Sequence, residues 1–592
     1  MTFPGNERNF VNWPQNGTVN PADLTDTERL LWEAFPRGEW VDLSRQPAGE
    51  DPVVRAEVIA ALLLGAVPAE PGYAARIRVR GATVTGPLEL RGGTAAQALV
   101  CQRCRFDSEL SLVDGSFRSI SLLDCELPGL DCAQVRLKGT LDLSGSRLDG
   151  RLRLENAKIN GQLRLRGTRI TGAGPEAIAA NGLVVAGDVD CPGLEANGEV
   201  SFRAAAIAGS CDLSNGRITA PGERALVFSY ATIGGKLEGR QLVVNGETRA
   251  NNCRIAAHVS MWTARLENPG GVAFWAGGLT VGGGAFFSFG FRAVGEFRLI
   301  GAQLAANLTI TGASFDNAGG VAVNLDSAVV RMITGDELTC RGRWTMVGAR
   351  IGGDVTLARA VLESAGDGHA LNAERTQIDG ALILSGAKAD GGVDLRHAVV
   401  GVLHDDPAAW PDRLYLDGLT YQALYPRVPA DQRLGWLARD PDGHQPQPYE
   451  QLAAYYTAVG EPGQARDVLY ARERIQRPGK GRVSRTWSLL QDITVGYGYR
   501  PRRALGWLAL LLTIGSIVFS VAPPPAFASG AAPHFNGIVY TLDLMLPVVN
   551  LGQKYAFNPS GAEQWLSYLL IAAGWTLATT VAAGLARVLR RN

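Results

Sequence analysis

From about Gly72 to residue 405 the apolar positions follow neither a helical nor an alternating-strand period. In the clearest stretch they fall at Leu143, Leu148, Leu154, Ile159, Leu165 and Ile170, with spacings that alternate between five and six residues. A chain that makes a two- or three-residue strand, bends and repeats produces this rhythm. Gly139, Gly150, Gly161 and Gly172 recur every eleven residues, and the triplets Ser144-Gly145-Ser146 and Arg166-Gly167-Thr168 occupy further bends. A missing Cβ relieves steric strain at such positions.

A longer period lies above this one. Ala177, Ala225, Ala273, Ala322 and Ala370 each follow a Gly-containing turn and are separated by 48, 48, 49 and 48 residues. Four eleven-residue units plus a small insertion on one edge of a stack account for it. The predicted fold is mainly β: a quadrilateral, pentapeptide-like β-solenoid in which each coil buries its apolar ladder only against its neighbours. With about 22 to 24 residues per coil, residues 75–405 make about 14 coils and a rod of roughly 65 to 70 Å. A β-sandwich or propeller would need longer alternating strands.

The flanks carry helical patterns. Thr25-Asp26-Thr27-Glu28 forms a capping box that opens a helix over Arg29 to Phe35. Asp51-Pro52 reads as an N-cap with Pro at the first helical position, and Gly65 as the stop. After the repeat, Pro448 to Gly460 and Gln464 to Arg474 make a hairpin broken at Glu461-Pro462-Gly463. It resembles one tetratricopeptide-like unit, with Ala453, Tyr456, Gly460, Ala465 and Tyr470 in the small and aromatic positions. Finally, Ala504 to Ala522 and Trp565 to Ala586 carry no charge, and each is long enough to span a bilayer. The expected domains are an N-terminal helical cap (1–74), the solenoid (75–405), a helical hairpin with linker (406–499) and a two-helix transmembrane domain (500–592).

Charge sets the expected topology. Arg500, Arg502 and Arg503 precede the first apolar segment, and Arg587, Arg590 and Arg591 follow the second. The stretch between them has Lys554 as its sole Lys or Arg. The positive-inside rule therefore places both ends in the cytoplasm of a two-span protein of the cell membrane. Between the spans, Phe535 to Leu546 is apolar enough for a short interfacial or re-entrant helix. That layout, with Pro547 to Gly552 where a filter would sit, is also the layout of a channel-like pore built from the two spans and residues 535–552.

Composition narrows the rest. The chain has 72 Gly among 592 residues and equal numbers, 57 each, of basic and acidic side chains. It is too apolar for a disordered chain and lacks the overall charge of a nucleic-acid binder. Eight Cys make no disulfide framework. Cys101-x-x-Cys104 with Cys125 and Cys132 has thiols enough for a metal, but the second pair is spaced by seven, and ladder packing is the reading adopted. Gly172-Ala173-Gly174-Pro175-Glu176-Ala177 has the letters of a dinucleotide fingerprint, yet it coincides with the 48-residue turn and holds a Pro where a helix must start. Thr494 to Gly498 spells a potassium filter on the wrong side of the first span. No catalytic, cofactor-binding or metal-ligating residue is assigned, and no cofactor is expected.

Two surfaces stand out. Residues 135–170 carry nine basic side chains against three acidic ones, and Arg136, Arg151, Arg153, Arg164 and Arg166 are candidates for an anionic-surface contact. In Phe286-Phe287-Ser288-Phe289-Gly290-Phe291 only alternate side chains can point inward. With Trp275 nearby, Phe286, Phe287, Phe289 and Phe291 form a candidate protein-contact patch.

The layout as a whole resembles a group of actinobacterial membrane proteins with a Gly-rich repeat and two C-terminal transmembrane helices. The strings Pro446-Gln447-Pro448-Tyr449-Glu450-Gln451-Leu452 and Gly496-Tyr497-Gly498-Tyr499-Arg500-Pro501 carry the resemblance. Members are often labelled membrane-associated oxidoreductases, so the resemblance implies that activity, whereas the residues point to a non-enzymatic, membrane-anchored scaffold. The expected partners are the lipid bilayer, an unidentified protein and, as a homo-oligomer, further copies of the chain. No nucleic acid is expected.

Overall fold

The computed structural model describes residues 19–44, 52–172, 174–364, 368–406, 409–475, 501–527, 533–546 and 548–589, with the side chains of 501–502 and 580–589 left aside. The chain divides into two compact units, one running to residue 426 apart from 416–418, the other comprising 416–418 and the chain from 427 onward.

The first unit is a parallel β-solenoid of about 16 turns. One coil shows how the residues build it. Arg136–Leu137, Leu141–Asp142, Arg147–Leu148 and Leu152–Arg153 are two-residue strands that form walls 1 to 4. Leu137, Leu141, Leu143, Leu148, Leu152 and Leu154 all point inward and are buried. Every strand then pairs in parallel with its counterpart one coil on; in wall 1, Leu137 faces Ile159, which faces Val185 and then Ile207. The predicted rhythm is the inner lining itself, since Leu143, Leu148, Leu154, Ile159, Leu165 and Ile170 are all buried.

Two of the four corners turn through a left-handed residue, such as Gly145 (φ 73°) and Asn156 (φ 55°). The corner between walls 1 and 2 stacks small residues instead. A Cβ on Gly161 would stand 2.6 Å from the carbonyl carbon of Gly139 below it.

The 48-residue period has a geometric cause. In wall 2, Leu163 faces Val189, Val189 faces Cys211, Cys211 faces Leu237, and Leu237 faces Val259. Coil lengths thus alternate between 26 and 22 residues, which together make the period. The longer coil throws out a flange between walls 3 and 4, within single strands such as Arg217–Val227, Arg265–Trp275 and Ser314–Asn324. The shorter coil crosses beneath that flange on a glycine. Gly246, at φ 126°, would set a Cβ 2.3 Å from the Ala220 carbonyl oxygen and 2.9 Å from both the Glu223 carbonyl oxygen and the Ala225 Cβ. Gly198, Gly295, Gly342 and Gly391 repeat this crossing at φ between 108° and 131°. The recurring Ala and the excess Gly are therefore two sides of one contact.

The solenoid exceeds the expected span at both ends, hence the additional coils. Val41–Asp42 pairs with Val79–Arg80, and the last rung is Thr420–Tyr425. Pro52 does not open a helix. Val53–Arg55 is a strand that pairs with Thr83–Thr85, because two adjacent valines suit a rung better than a helix start. Helix α2, Ala56–Leu63, follows directly and buries Val58, Ile59, Leu62 and Leu63.

Helix α1, Asp26–Ala34, starts at the predicted capping box, with the Glu28 N–H donating to Thr25 and the Thr25 N–H donating to Glu28. The buried Glu28 carboxylate also accepts from the Arg55 guanidinium at 2.8 and 2.9 Å and from the Arg55 backbone N–H at 3.0 Å.

The second unit is helical. Helices α3, Ala430–Leu437, α4, Pro446–Ala458, and α5, Pro462–Ile475, come first. The α4–α5 hairpin buries Ala453, Tyr456, Ala465 and Tyr470 and turns at Gly460 (φ 84°), where the Glu461 N–H reaches the Tyr456 carbonyl at 2.8 Å. Helix α3 carried no sequence signal; the Tyr456 hydroxyl and Gln464 hold the stretch before it through Val428 and Ala430. Helices α6, Pro501–Val521, α7, Gly537–Met545, and α8, Ala562–Leu589, complete the unit. Both segments expected to span a membrane are thus helical. Among the described residues one segment, Arg503–Val521, meets the length and composition of a span.

Gly246→Ala will lower unfolding free energy by about 2 to 4 kcal/mol, since it combines a Gly-only backbone with backbone overlap. Gly222→Ala, at an open flange tip (φ 75°), will cost about 1 kcal/mol, and equal denaturation midpoints would refute the crossing. For Glu28, burial opposes ionisation, but hydrogen bonds from the Arg55 side chain and the backbone N–H groups of Arg55 and Thr25 outweigh it and hold the carboxyl at about 2. Its stabilisation is present above the ordinary carboxyl range and is lost as pH falls toward 2. Glu28→Gln will flatten the pH dependence of unfolding free energy between about pH 5 and pH 2.

Candidate functional site

The aromatic segment divides between the interior and the surface. Ala285, Phe287 and Phe291 point inward, Ser288 is also buried, Phe286 is only half-covered, and Phe289 occupies the left-handed corner between walls 2 and 3 (φ 53°). Phe287 and Phe291 are fully buried in a cluster with Phe274, Phe297 and Phe315, with centroids 4.9 Å apart for Phe287 and Phe297 and 5.2 Å for Phe297 and Phe315. They cannot belong to a contact patch. Phe286 is half-buried beside His258 at 6.1 Å. Phe289 alone is open, at 69% exposure, with its ring edge-on to Trp262 at 5.6 Å.

Trp275 lies elsewhere. It is on wall 4, which the coil order places opposite wall 2, and its ring is held between the guanidinium groups of Arg249 and Arg298 at 4.8 and 5.3 Å. Those arginines are tied to Glu247 and Glu296 in turn. The expected five-residue patch therefore reduces to Phe289 and its surroundings.

The basic residues do not form one stripe either. Arg136 is on wall 1, Arg164 is on wall 2 with Arg166 at the corner after it, Arg153 is on wall 4, and Arg151 precedes it at a corner. Most have acidic partners: Arg153 with Asp131 and Glu155, Arg164 with Asp142 at 3.6 Å, Arg166 with Asp190 at 2.5 Å, and Arg136 with Asp114 at 3.8 Å. An eleven-residue half-coil sends successive basic positions to opposite walls, so density along the chain does not become density on a face. Sequence reading missed a different set. Arg217, Arg265 and Arg292 occupy one column of wall 3, in register through Val243. The signal was available in the 48-residue spacing, which places Arg169, Arg217 and Arg265 in one column.

All eight thiols are free and buried. Cys104, Cys125, Ser146 and Thr168 stack in one corner and donate to backbone carbonyls, as from Cys125 to Leu123 at 3.3 Å and from Ser146 to Leu122 at 2.7 Å. Cys101 and Cys132 line the interior, where burial pushes the Cys132 thiol up. Among the described residues no group of three His, Cys, Asp or Glu side chains suits a metal ion. The Gly172 motif leads into a strand, Glu176–Ala179, so no helix N-terminus stands there to receive a pyrophosphate.

The segment between α6 and α8 is a built hairpin. Helix α7 packs between the two long helices and contributes Tyr540, Leu544 and Met545 to a core with Phe519, Phe557 and Leu570. The fully buried Asp543 carboxylate accepts from the backbone N–H groups of Leu551, Gln553 and Lys554 at 2.7 to 2.8 Å. This folds the following loop back over the helix. Tight contact continues at Gly574, where a Cβ would stand 2.2 Å from the Met545 carbonyl oxygen. The loop leaves Val548 at 91% exposure, with Val549 and Leu551 also exposed. Arg503 lies in the first turn of α6; Arg500, Arg590 and Arg591, and the side chains of Arg502 and Arg587, lie outside the described residues, as do Thr494 to Gly498.

Comparison with protein-family models, with curated proteins and with solved structures finds no match. The functional reading accordingly rests on the geometry.

Phe287→Ser will cost about 3 to 5 kcal/mol of stability as a core truncation, whereas Phe289→Ser will stay within about 0.5 kcal/mol. Equal melting temperatures for the two variants would contradict the division of this segment.

Proposed function

We propose that the chain is a membrane-anchored scaffold, with the solenoid as its recognition surface and the C-terminal helices as its anchor. The observation that carries the reading is the filling of the solenoid. Its interior is a continuous ladder of buried side chains, so recognition falls to the outer walls, where one side chain per strand repeats every coil. Parallel stacking at ~4.8 Å per rung makes those walls rigid and regularly spaced. The anchor rests on α6. A core helix of a soluble protein is mostly covered, but only 17% of the apolar window in Arg503–Val521 is buried. In this reading helix α8 is a second span, and the positive-inside rule applied to the flanking arginines supports cytoplasmic ends.

One observation favours a second reading, a channel-like pore. A short helix and a re-entrant-like loop, locked by Asp543, stand between two long helices, and the loop presents exposed Val548, Val549 and Leu551. Several copies would be needed to enclose a path, with residues 548–551 toward it. Reconstitution at high protein density decides this point, because absence of ion flux removes the pore and leaves the scaffold intact.

Topology is testable with thiol chemistry, since the eight native Cys are buried. An impermeant maleimide will label Lys554→Cys on intact cells and Arg474→Cys only after permeabilisation. Labelling of Arg474→Cys on intact cells would overturn the orientation, and labelling of neither before permeabilisation would overturn the two-span anchor.

A further inference from the structure

We propose that the edge between walls 2 and 3, around Phe289, docks onto an anionic membrane surface. Arg217, Arg265 and Arg292 project from wall 3 and are exposed, and among the described residues none has an acidic partner. Two arginines of the same column nearer the N-terminus are neutralised, Arg147 by Asp149 at 2.9 Å and Arg169 by Glu195 at 3.2 Å. The column therefore changes from paired to unpaired charge at Arg217, the rung after Glu195, and stays unpaired to Arg292, the rung that follows Phe289.

Phe289 stands at the adjoining corner with Gly290 beyond it, and its ring is braced edge-on by Trp262. The Arg240 guanidinium covers the Trp262 ring at 5.1 Å. Polar satisfaction is incomplete beneath this edge: the Trp262 indole N–H and the Ser288 hydroxyl find no partner. Ser288 is 1% exposed. One projecting aromatic flanked by unpaired cations matches a bilayer interface, where rings sit at headgroup depth and arginines meet phosphates. A single strand of nucleic acid would need successive stacking platforms, and this edge offers one free ring.

The proposal rests on the membrane-anchor reading for the proximity of the bilayer, and the test separates the two. Full-length protein carrying Thr263→Cys, at the exposed corner one coil before Phe289, is labelled with an environment-sensitive fluorophore. It is then placed in nanodiscs of phosphatidylcholine alone or mixed with phosphatidylglycerol. Docking predicts that iodide quenching falls severalfold in the anionic discs and recovers at high salt. It also predicts that quenching stays high in Arg217→Ser/Arg265→Ser/Arg292→Ser, whose unchanged far-ultraviolet circular dichroism would verify folding. A label at Tyr230→Cys, on the diagonally opposite corner, stays quenchable throughout. Equal quenching in both discs, an unaffected triple variant, or equal protection at Tyr230 would each overturn the docking edge. Failure to enter discs would refute the anchor alone. Cosedimentation with phosphatidylglycerol vesicles would then decide docking, with a loss of about fivefold expected per arginine removed.

Discussion

Each coil of the solenoid hydrogen-bonds to the next through its backbone, and that requirement constrains everything else in the first unit. A parallel ladder closes only if successive coils follow nearly the same path. A coil with four more residues than its neighbour must therefore expel them at one point without disturbing the register on either side. Here the extra residues leave between walls 3 and 4, where the ladder records a shift, as between Thr219 and Arg224, and resumes at Leu226. The coil that follows has no extra residues, so its backbone passes through the mouth of the flange. Only glycine clears both limbs, as Gly246 does between Ala220 and Glu223. Ala225 is small for the same reason, since a larger side chain would fill the space over which Gly246 crosses.

This explains why so much of the fold was legible. The five-and-six rhythm is the inner lining read off the chain, and the eleven-residue glycines are corners. The 48-residue period is one long coil and one short coil. What remained illegible depends on which wall a residue occupies, a property that no local window contains. The basic run from Arg136 to Arg169 is dense along the chain and dispersed in space. Arg217, Arg265 and Arg292 are far apart along the chain and adjacent in space. Val53–Arg55 was hidden for another reason. Its Pro and acidic flank mimic a helix start, and only the partner strand Thr83–Thr85 shows it to be a rung.

The hairpin between the long helices meets the same demand for backbone satisfaction by another route. No neighbouring coil is present to pair with the loop after α7, so a side chain substitutes. Asp543, a single acid within the apolar stretch Phe535 to Leu546, accepts from three backbone N–H groups and converts a loop into a fixed turn. Gln553 extends the arrangement by accepting from the Asn536 N–H and donating to the His534 carbonyl. A buried carboxylate is costly unless its lone pairs are occupied, and here the loop supplies the donors. The sequence signal was a single acid at an unexpected hydrophobic position, which by itself does not reveal its partners.

The ladder also determines how charge can act on the solenoid. Side chains one coil apart stand about 4.8 Å from each other, so like charges in a column repel unless acids intervene or a counter-charge arrives from outside. Along walls 2 and 4 the acids are built in, at Asp142, Asp190 and Glu238 on one and at Asp131, Glu155, Glu247 and Glu296 on the other. Wall 3 departs from that pattern at Arg217, Arg265 and Arg292, where three cations share a column without an intervening carboxylate. Repulsion among them in the free solenoid is small because they are solvated. It turns into attraction when a phosphate surface approaches, which lets a chain of zero formal charge present a cationic edge.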